Sequence, residues 1–313
     1  MTLKLGLIGA GKIAVKYLEV LAAVPDVEIA AIANRSNPVI HDLASRFAIP
    51  KVFNDSRALL DSGVDAVIVA PSVIANFEVS QVCLEQGMPC LLEKPPGLTV
   101  AEAEALANLA AKKSVPHLVA LNRRYYSSVR QAREAIAEKG RLIAVAVEAP
   151  EKLEHTRAHP PAIAARWMVA NGIHCLDLFR HLGGEVEQVH AVSHVGGPSA
   201  PSSFAALVRF AGGLAGQFTS HWAAPGPWTV TLYGEGRRVT LKPIEKCNVL
   251  DADGTERALE PDPIDVKFKP GLYRQLEAFL AVVRSRGAVA APGADLAEAV
   301  KTMRLIAQIG GTE

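Results

Sequence analysis

Residues 91–98 read LLEKPPGL: two leucines, then adjacent opposite charges, then two prolines. A strand that buries Leu91 and Leu92 ordinarily ends in neutral turn residues, so Glu93 and Lys94 call for a chemical reason. Pro95 disfavours helical backbone at Lys94 and holds it extended, which aims the ammonium group. A lysine so held can donate to the oxygen of a reacting substrate. A second stretch with chemical content is Gly9-Ala10-Gly11-Lys12-Ile13-Ala14, a G-x-G-x-x-A turn. Gly9 permits a tight turn, Gly11 lets the backbone approach a pyrophosphate, and Ala14 keeps the next helix close to its sheet. The first N–H groups of that helix, from Lys12 and Ile13, supply donors and partial positive charge. About 20 residues on, where a dinucleotide-binding unit reads the adenosine ribose, stand Asn34-Arg35-Ser36. A carboxylate there would accept both ribose hydroxyls of NAD and repel a 2′-phosphate. An amide, a guanidinium and a hydroxyl offer donors instead, which favours NADP, with NAD as the alternative.

These groups need a scaffold that brings strand ends together, and the apolar pattern predicts one. Continuous apolar runs at 3–11, 27–35, 64–70, 89–94 and 116–123 read as strands covered on both faces. Helical patterns at 13–24, 37–49 and 76–87, with an alanine-rich helix begun by Thr99, alternate with them. That grammar is a parallel, doubly wound sheet whose ligands lie beyond the carboxyl ends of the strands. Glu93 and Lys94, Pro71-Ser72, and Asn122-Arg123 all fall at such ends.

After residue 121 the pattern changes to period-two alternation at 141–148, 187–195, 204–210, 214–222, 229–234 and 237–242, with turns such as Ala211-Gly212-Gly213. Helices are predicted at 129–139, 171–182, 270–286 and 294–309. The expected architecture is α/β: a dinucleotide-binding domain over 1–121, then an α+β domain over 122–313 on an open, mainly antiparallel sheet.

Composition narrows the function. Lys+Arg 33 against Asp+Glu 32 gives a net charge of +1 without a run of one sign, which argues against nucleic-acid and membrane-surface binders. No apolar run approaches the roughly 18 residues of a membrane helix, and the first residues lack the basic flank of a signal peptide. Cys83, Cys90, Cys175 and Cys247 have no paired spacing and read as reduced thiols of a cytoplasmic protein. The pairs His155/His159 and His190/His194 lack an acidic or cysteine companion at ligand spacing, so no metal is expected. No G-x-S-x-G is present to support a serine hydrolase. Trp222 and Trp228 fit core or interface packing better than sugar stacking. Arg123, Tyr125, Arg157 and Arg166-Trp167 are candidates to line a substrate site, where arginines would suit a carboxylate or phosphate.

Over its full length the sequence resembles the Gfo/Idh/MocA oxidoreductases, named for glucose–fructose oxidoreductase and inositol dehydrogenase. The resemblance rests on GLIGAGKIA (6–14), LLEKPPGLT (91–99), LNRRYY (121–126), NGIHCLDLFRHLGG (171–184) and PGLYRQLEAF (270–279), of which the E-K-P motif is the most specific. It implies that Glu93 contacts the nicotinamide ribose, that Lys94 works at the substrate, and that His174 is the catalytic histidine. It also implies homodimers or homotetramers built through the C-terminal sheet. Asp177 follows His174 by one helical turn and would orient the imidazole or anchor the helix. Asn171 belongs to the same motif. Two positions depart from the family pattern: Ala170 stands where many members have an aspartate, and Asn76 stands where many have a histidine.

The expected activity is hydride transfer between NAD(P) and a secondary alcohol or ketone of a sugar, polyol or nucleotide sugar. Ala170 motivates one alternative, a dinucleotide-binding sensor without redox chemistry. A redox-assisted lyase or glycosidase that retains its cofactor is another.

Overall fold

The computed structural model describes residues 2–35, 38–196 and 201–310. Two compact units account for the chain: Met1–Leu121 with Leu272–Val300, and Asn122–Gly271 with Lys301–Glu313.

The first unit is built on strands β1 (Leu3–Ile8), β2 (Val27–Ala33), β3 (Lys51–Phe53), β4 (Ala66–Val69), β5 (Cys90–Leu92) and β6 (His117–Val119). All pair in parallel, in the order β3-β2-β1-β4-β5-β6. β4 shows why: its Ala-Val-Ile-Val has no exposed face, so both sides must be covered by helices. The connecting helices include Lys12–Leu21, Val39–Arg46, Asn76–Glu85 and Val100–Lys113. The last begins as the sequence predicts, with Thr99 and Glu102 capping each other's backbone N–H. Strand order reverses direction between β1 and β4, and at that switch the carboxyl ends open a crevice.

β3 escapes sequence reasoning because three residues are too few to show a period. The helix Leu272–Ser285 also differs from a linear split at residue 121. It packs within the first unit, where buried Gln275 donates to the Tyr17 hydroxyl at 3.2 Å. The Ala294 carbonyl accepts from Val119 at 2.8 Å, extending the edge of β6.

The second unit carries an eight-stranded sheet of β7 (Leu142–Glu148), β8 (Val186–His194), β9 (Ser203–Phe210), β10 (Ala215–His221), β11 (Thr229–Gly234), β12 (Arg237–Leu241), β13 (Cys247–Asp251) and β14 (Glu256–Leu259). The order is β14-β13-β12-β11-β7-β10-β9-β8. Only β7 and β10 pair in parallel. β13 and β14 extend the sheet beyond the predicted strands. One face is covered by the helix Ile173–Gly183, whose Phe179 packs edge-on against Phe210 at 5.0 Å. Leu207 and Val192 lie exposed on strands of this sheet, at 63% and 78%.

Candidate active site

The glycine turn sits at the end of β1. Gly9 adopts φ +114°, and a Cβ there would run into the Ala70 carbonyl oxygen, so this position needs glycine for the fold alone. Gly11 is different. Its backbone is extended at φ −79°, and no protein atom lies within 4 Å of a Cβ built on it. Packing does not require glycine there, but a ligand pressed against the backbone would. The helix Lys12–Leu21 also starts without any side-chain cap, which leaves its first N–H groups, those of Lys12 and Ile13 among them, to an anion. The residues present therefore fit the pyrophosphate of a dinucleotide.

Along the same edge, β5 delivers Glu93 and Lys94, and both are locked. The Tyr17 hydroxyl donates to Glu93 Oε1 at 2.7 Å, and the Lys94 backbone N–H donates to Glu93 Oε2 at 3.1 Å. Burial first, and the Glu93 charge second, hold the Tyr17 phenol well above its ordinary pKa, so it stays a donor. Asn76 Nδ2 donates to the carbonyls of Glu93 (2.6 Å) and Pro95 (2.7 Å), spanning the cis Lys94–Pro95 peptide. Asn76 thus clamps the loop that carries the lysine. Pro71 and Ser72 end β4 next to this clamp's helix, with Ser72 exposed and Pro71 half-buried.

At the end of β2 the structure shows a hollow of about 480 Å³ lined by Asn34, Arg35, Pro38, Ile40, His41, Val52, Phe53 and Asn54. Sequence reasoning picks out Asn34, Arg35 and Ser36; Ser36 lies outside the described residues. It does not reach His41 and Asn54, which come from the following helix and from the end of β3.

In the second unit, a π-helical turn, Met168–Gly172, runs directly into the helix Ile173–Gly183. Such one-turn irregularities re-aim side chains near functional sites. His174 is the second residue of the helix and is 6% exposed. Asp177 is bound by Arg124, whose Nε and Nη2 donate to its two oxygens at 2.8 and 2.6 Å. Thr302 donates to Asp177 Oδ1 at 3.2 Å and accepts from Arg180 at 3.2 Å. That geometry anchors the helix.

Arg123 lies with its guanidinium 4.7 Å from the centre of the Trp228 ring, and its Nε is buried without a hydrogen-bond partner. Tyr125 is buried, its hydroxyl has no partner, and burial raises its pKa. Trp167 is buried and Arg166 is exposed. Asn171 Nδ2 donates at 2.8 Å to Oε1 of Glu151, a buried carboxylate that nothing in its local sequence singles out. Ala170 is buried in the same turn. Trp222 packs on Phe204 and donates to Ser220, so it serves the sheet.

A parallel sheet ordered 3-2-1-4-5-6, with an open glycine at its switch point and a second unit built on a mixed sheet, defines a dinucleotide-dependent dehydrogenase of two-domain type. Residues 3–121 match the oxidoreductase family with an NAD-binding Rossmann fold, and residues 129–240 match the GFO/IDH/MocA C-terminal domain. The chain belongs to the GFO/IDH/MocA family, an oxidoreductase family acting on CH–OH groups of sugars and polyols. Among its relatives is trans-1,2-dihydrobenzene-1,2-diol dehydrogenase of Mus musculus, 26% identical over 289 residues, 89% of this chain and 86% of that protein. A dehydrogenase from Chromobacterium violaceum superposes with a TM-score of 0.85 at 21% identity, over 98% of this chain and 94% of its own. Levoglucosan dehydrogenase in complex with NADH superposes with a TM-score of 0.83 at 20% identity, over 99% and 96%.

Proposed function

We propose that the protein passes hydride between a nicotinamide cofactor, NADP in preference to NAD, and a secondary alcohol or ketone carbon of a sugar, polyol or nucleotide sugar. The observation that carries this reading is the Glu93-Lys94-Pro95 loop, fixed by Tyr17 and Asn76 on the sheet edge that also holds the open glycine turn. The bound dinucleotide supplies the hydride acceptor or donor. The chain supplies the rest. Glu93, oriented by Tyr17, keeps its carboxylate available to the ribose of the nicotinamide half. Lys94 donates to the reacting oxygen and stabilises the negative charge that develops there. His174 takes the hydroxyl proton during oxidation and returns it during reduction. The relatives named above act on a dihydrodiol and on levoglucosan, which supports a substrate among polyhydroxylated rings. Absorbance at the reduced-nicotinamide band across a panel of sugars and polyols tests the reading. Growth of that band with at least one secondary alcohol is expected, and silence across the panel contradicts it.

The NADP preference rests on Arg35 and His41 in the hollow at the end of β2. A charge-assisted contact to a 2′-phosphate contributes about 1.5–3 kcal/mol. Arg35→Ala is therefore expected to weaken NADP binding by roughly 10- to 100-fold while NAD binding changes less than about threefold. Isothermal titration measures both constants, and wild-type protein that binds NAD as tightly as NADP sinks the preference.

The sheet of the second unit presents a hollow of about 520 Å³ lined by Val189, Val192, Ala205, Leu207, Phe218 and neighbours, with Val192 and Leu207 exposed. Apolar surface of this kind seeks cover, and a second copy of the chain, forming a dimer or a dimer of dimers, provides it. Light scattering after size exclusion should give a dimeric or tetrameric mass for the wild type and a monomer for Val192→Asp/Leu207→Asp. A monomeric wild type at micromolar concentration rules this out.

A further inference from the structure

We propose that Glu151 is a substrate-anchoring residue that accepts hydrogen bonds from a second hydroxyl of the substrate, so that the site selects polyols over mono-alcohols. The inference rests on the dehydrogenase reading above and deepens it.

Glu151 continues the line of β7 past Glu148 and bridges to Trp222. It is 5% exposed, and its cationic neighbour is His155, whose charge acts on it without an ion pair within 4.0 Å among the described residues. A carboxylate buried for the sake of the fold normally carries a full set of donors or a cationic partner. Glu151 has one hydrogen bond of good geometry, the 2.8 Å bond from Asn171 in the π-helical turn. The buried Trp167 indole N–H faces the same carboxylate but stays outside hydrogen-bond geometry and has no other acceptor. A carboxylate offers about four lone-pair sites, so most of its accepting capacity is left for something the chain does not provide. Burial raises its pKa, and the Trp167, Asn171, His155 and Trp228 groups oppose that rise. Desolvation of this kind strengthens any hydroxyl bond the site accepts.

The neighbours give the ligand its chemistry. Arg123 contributes a buried Nε without a partner, and Trp228, 4.7 Å beneath its guanidinium, contributes an aromatic face. Acceptor, donors and indole surface together suit a ring that alternates hydroxyl and C–H groups. The place is also right for the reaction. Asn171, which holds Glu151, lies three residues before His174 where the π-helical turn runs into its helix.

The test uses matched pairs: trans-cyclohexane-1,2-diol with cyclohexanol, and myo-inositol and levoglucosan each with a monodeoxy analogue. A charge-assisted hydrogen bond is worth about 1.5–3 kcal/mol, so kcat/KM on the wild type should favour the hydroxylated member by roughly 10- to 100-fold. Glu151→Gln should shrink that ratio by roughly 3- to 10-fold, mostly through KM, because a neutral acceptor holds a hydroxyl about half as strongly. Glu151→Ala should bring it near one. Turnover of the deoxy member should fall far less than that of its hydroxylated partner, and the dissociation constant for NADP(H) should stay at the wild-type value. A wild type that does not discriminate overturns the assignment, and so does a variant that loses both members of a pair equally. The wild-type and glutamine results decide the question even if the alanine protein does not fold. No turnover with any compound overturns the dehydrogenase reading itself, whereas normal turnover with unchanged discrimination in Glu151→Gln overturns only the role of Glu151.

Discussion

Lys94→Ala is expected to lower kcat by roughly 10³-fold, within the range set by removing a positioned acid–base group, while the nicotinamide cofactor still binds within a few-fold of wild type. The expectation follows from how much structure is committed to this one side chain. Tyr17, Asn76 and the Lys94 backbone N–H together fix Glu93 and the loop through four hydrogen bonds of 2.6–3.1 Å. A loop locked so firmly aims the ammonium without further ordering during the reaction. Lys94→Arg is expected to rescue little, because a planar guanidinium does not replace a compact point charge. His174→Ala should cost a similar factor. If both groups serve one oxygen, the double variant should fall little below the worse single one, since residues that act as a unit are not additive. Rapid-quench measurement of a single turnover separates loss of chemistry from slowed product release. Full turnover in either alanine variant would remove that residue from the mechanism.

Asp177→Ala is expected to destabilise the protein by about 3–5 kcal/mol, because it removes one partner of a buried, two-point ion pair. Asp177 is 1% exposed and Arg124 5%, and their two-point contact is reinforced by Thr302. In a unit of this size such a loss lowers Tm by roughly 6–20 °C. Scanning calorimetry reads it directly. Asp177→Leu combined with Arg124→Met should recover most of the deficit, because an apolar pair of similar volume avoids the desolvation of two charges. The sequence leaves two roles open for Asp177: orienting the imidazole or anchoring the helix. An unchanged Tm with a large loss of kcat in Asp177→Ala would select the first and contradict the observed geometry.

Much of this site is legible in the sequence, because its parts are local. Gly9 and Gly11 sit between a strand and a helix within a single turn of chain, and Glu93-Lys94-Pro95 follows an apolar run directly. What stays hidden is anything that depends on long-range approach. In sequence Tyr17 is only an apolar position of a helix; its bond to Glu93 spans 76 residues. Glu151 meets Asn171 across 20 residues and through a π-helical turn, for which the sequence carries no period. His41 enters its hollow because β3, three residues long, brings Val52 and Phe53 alongside. Asn76 stands out in sequence for the histidine it replaces, and the fold shows a different use: an amide can donate to two carbonyls at once. The return of Leu272–Ser285 to the first unit follows the same logic, since buried Gln275 reads as an ordinary helical polar residue until Tyr17 is opposite it.

Hydride is expected to move between a substrate carbon and a nicotinamide ring, with Lys94 and His174 each contributing to the reaction. Incubation with NADP⁺ and myo-inositol or levoglucosan deuterated at every ring carbon, followed by mass spectrometry of the reduced cofactor, tests it directly, because a deuterium on the reduced nicotinamide ring comes only from the substrate carbon. One deuterium on one face of the nicotinamide ring in the wild type, and labelling slowed by roughly 10³-fold in Lys94→Ala/His174→Ala, is the predicted result. Unlabelled cofactor from a wild-type protein that binds NADP⁺ and these substrates would contradict the account.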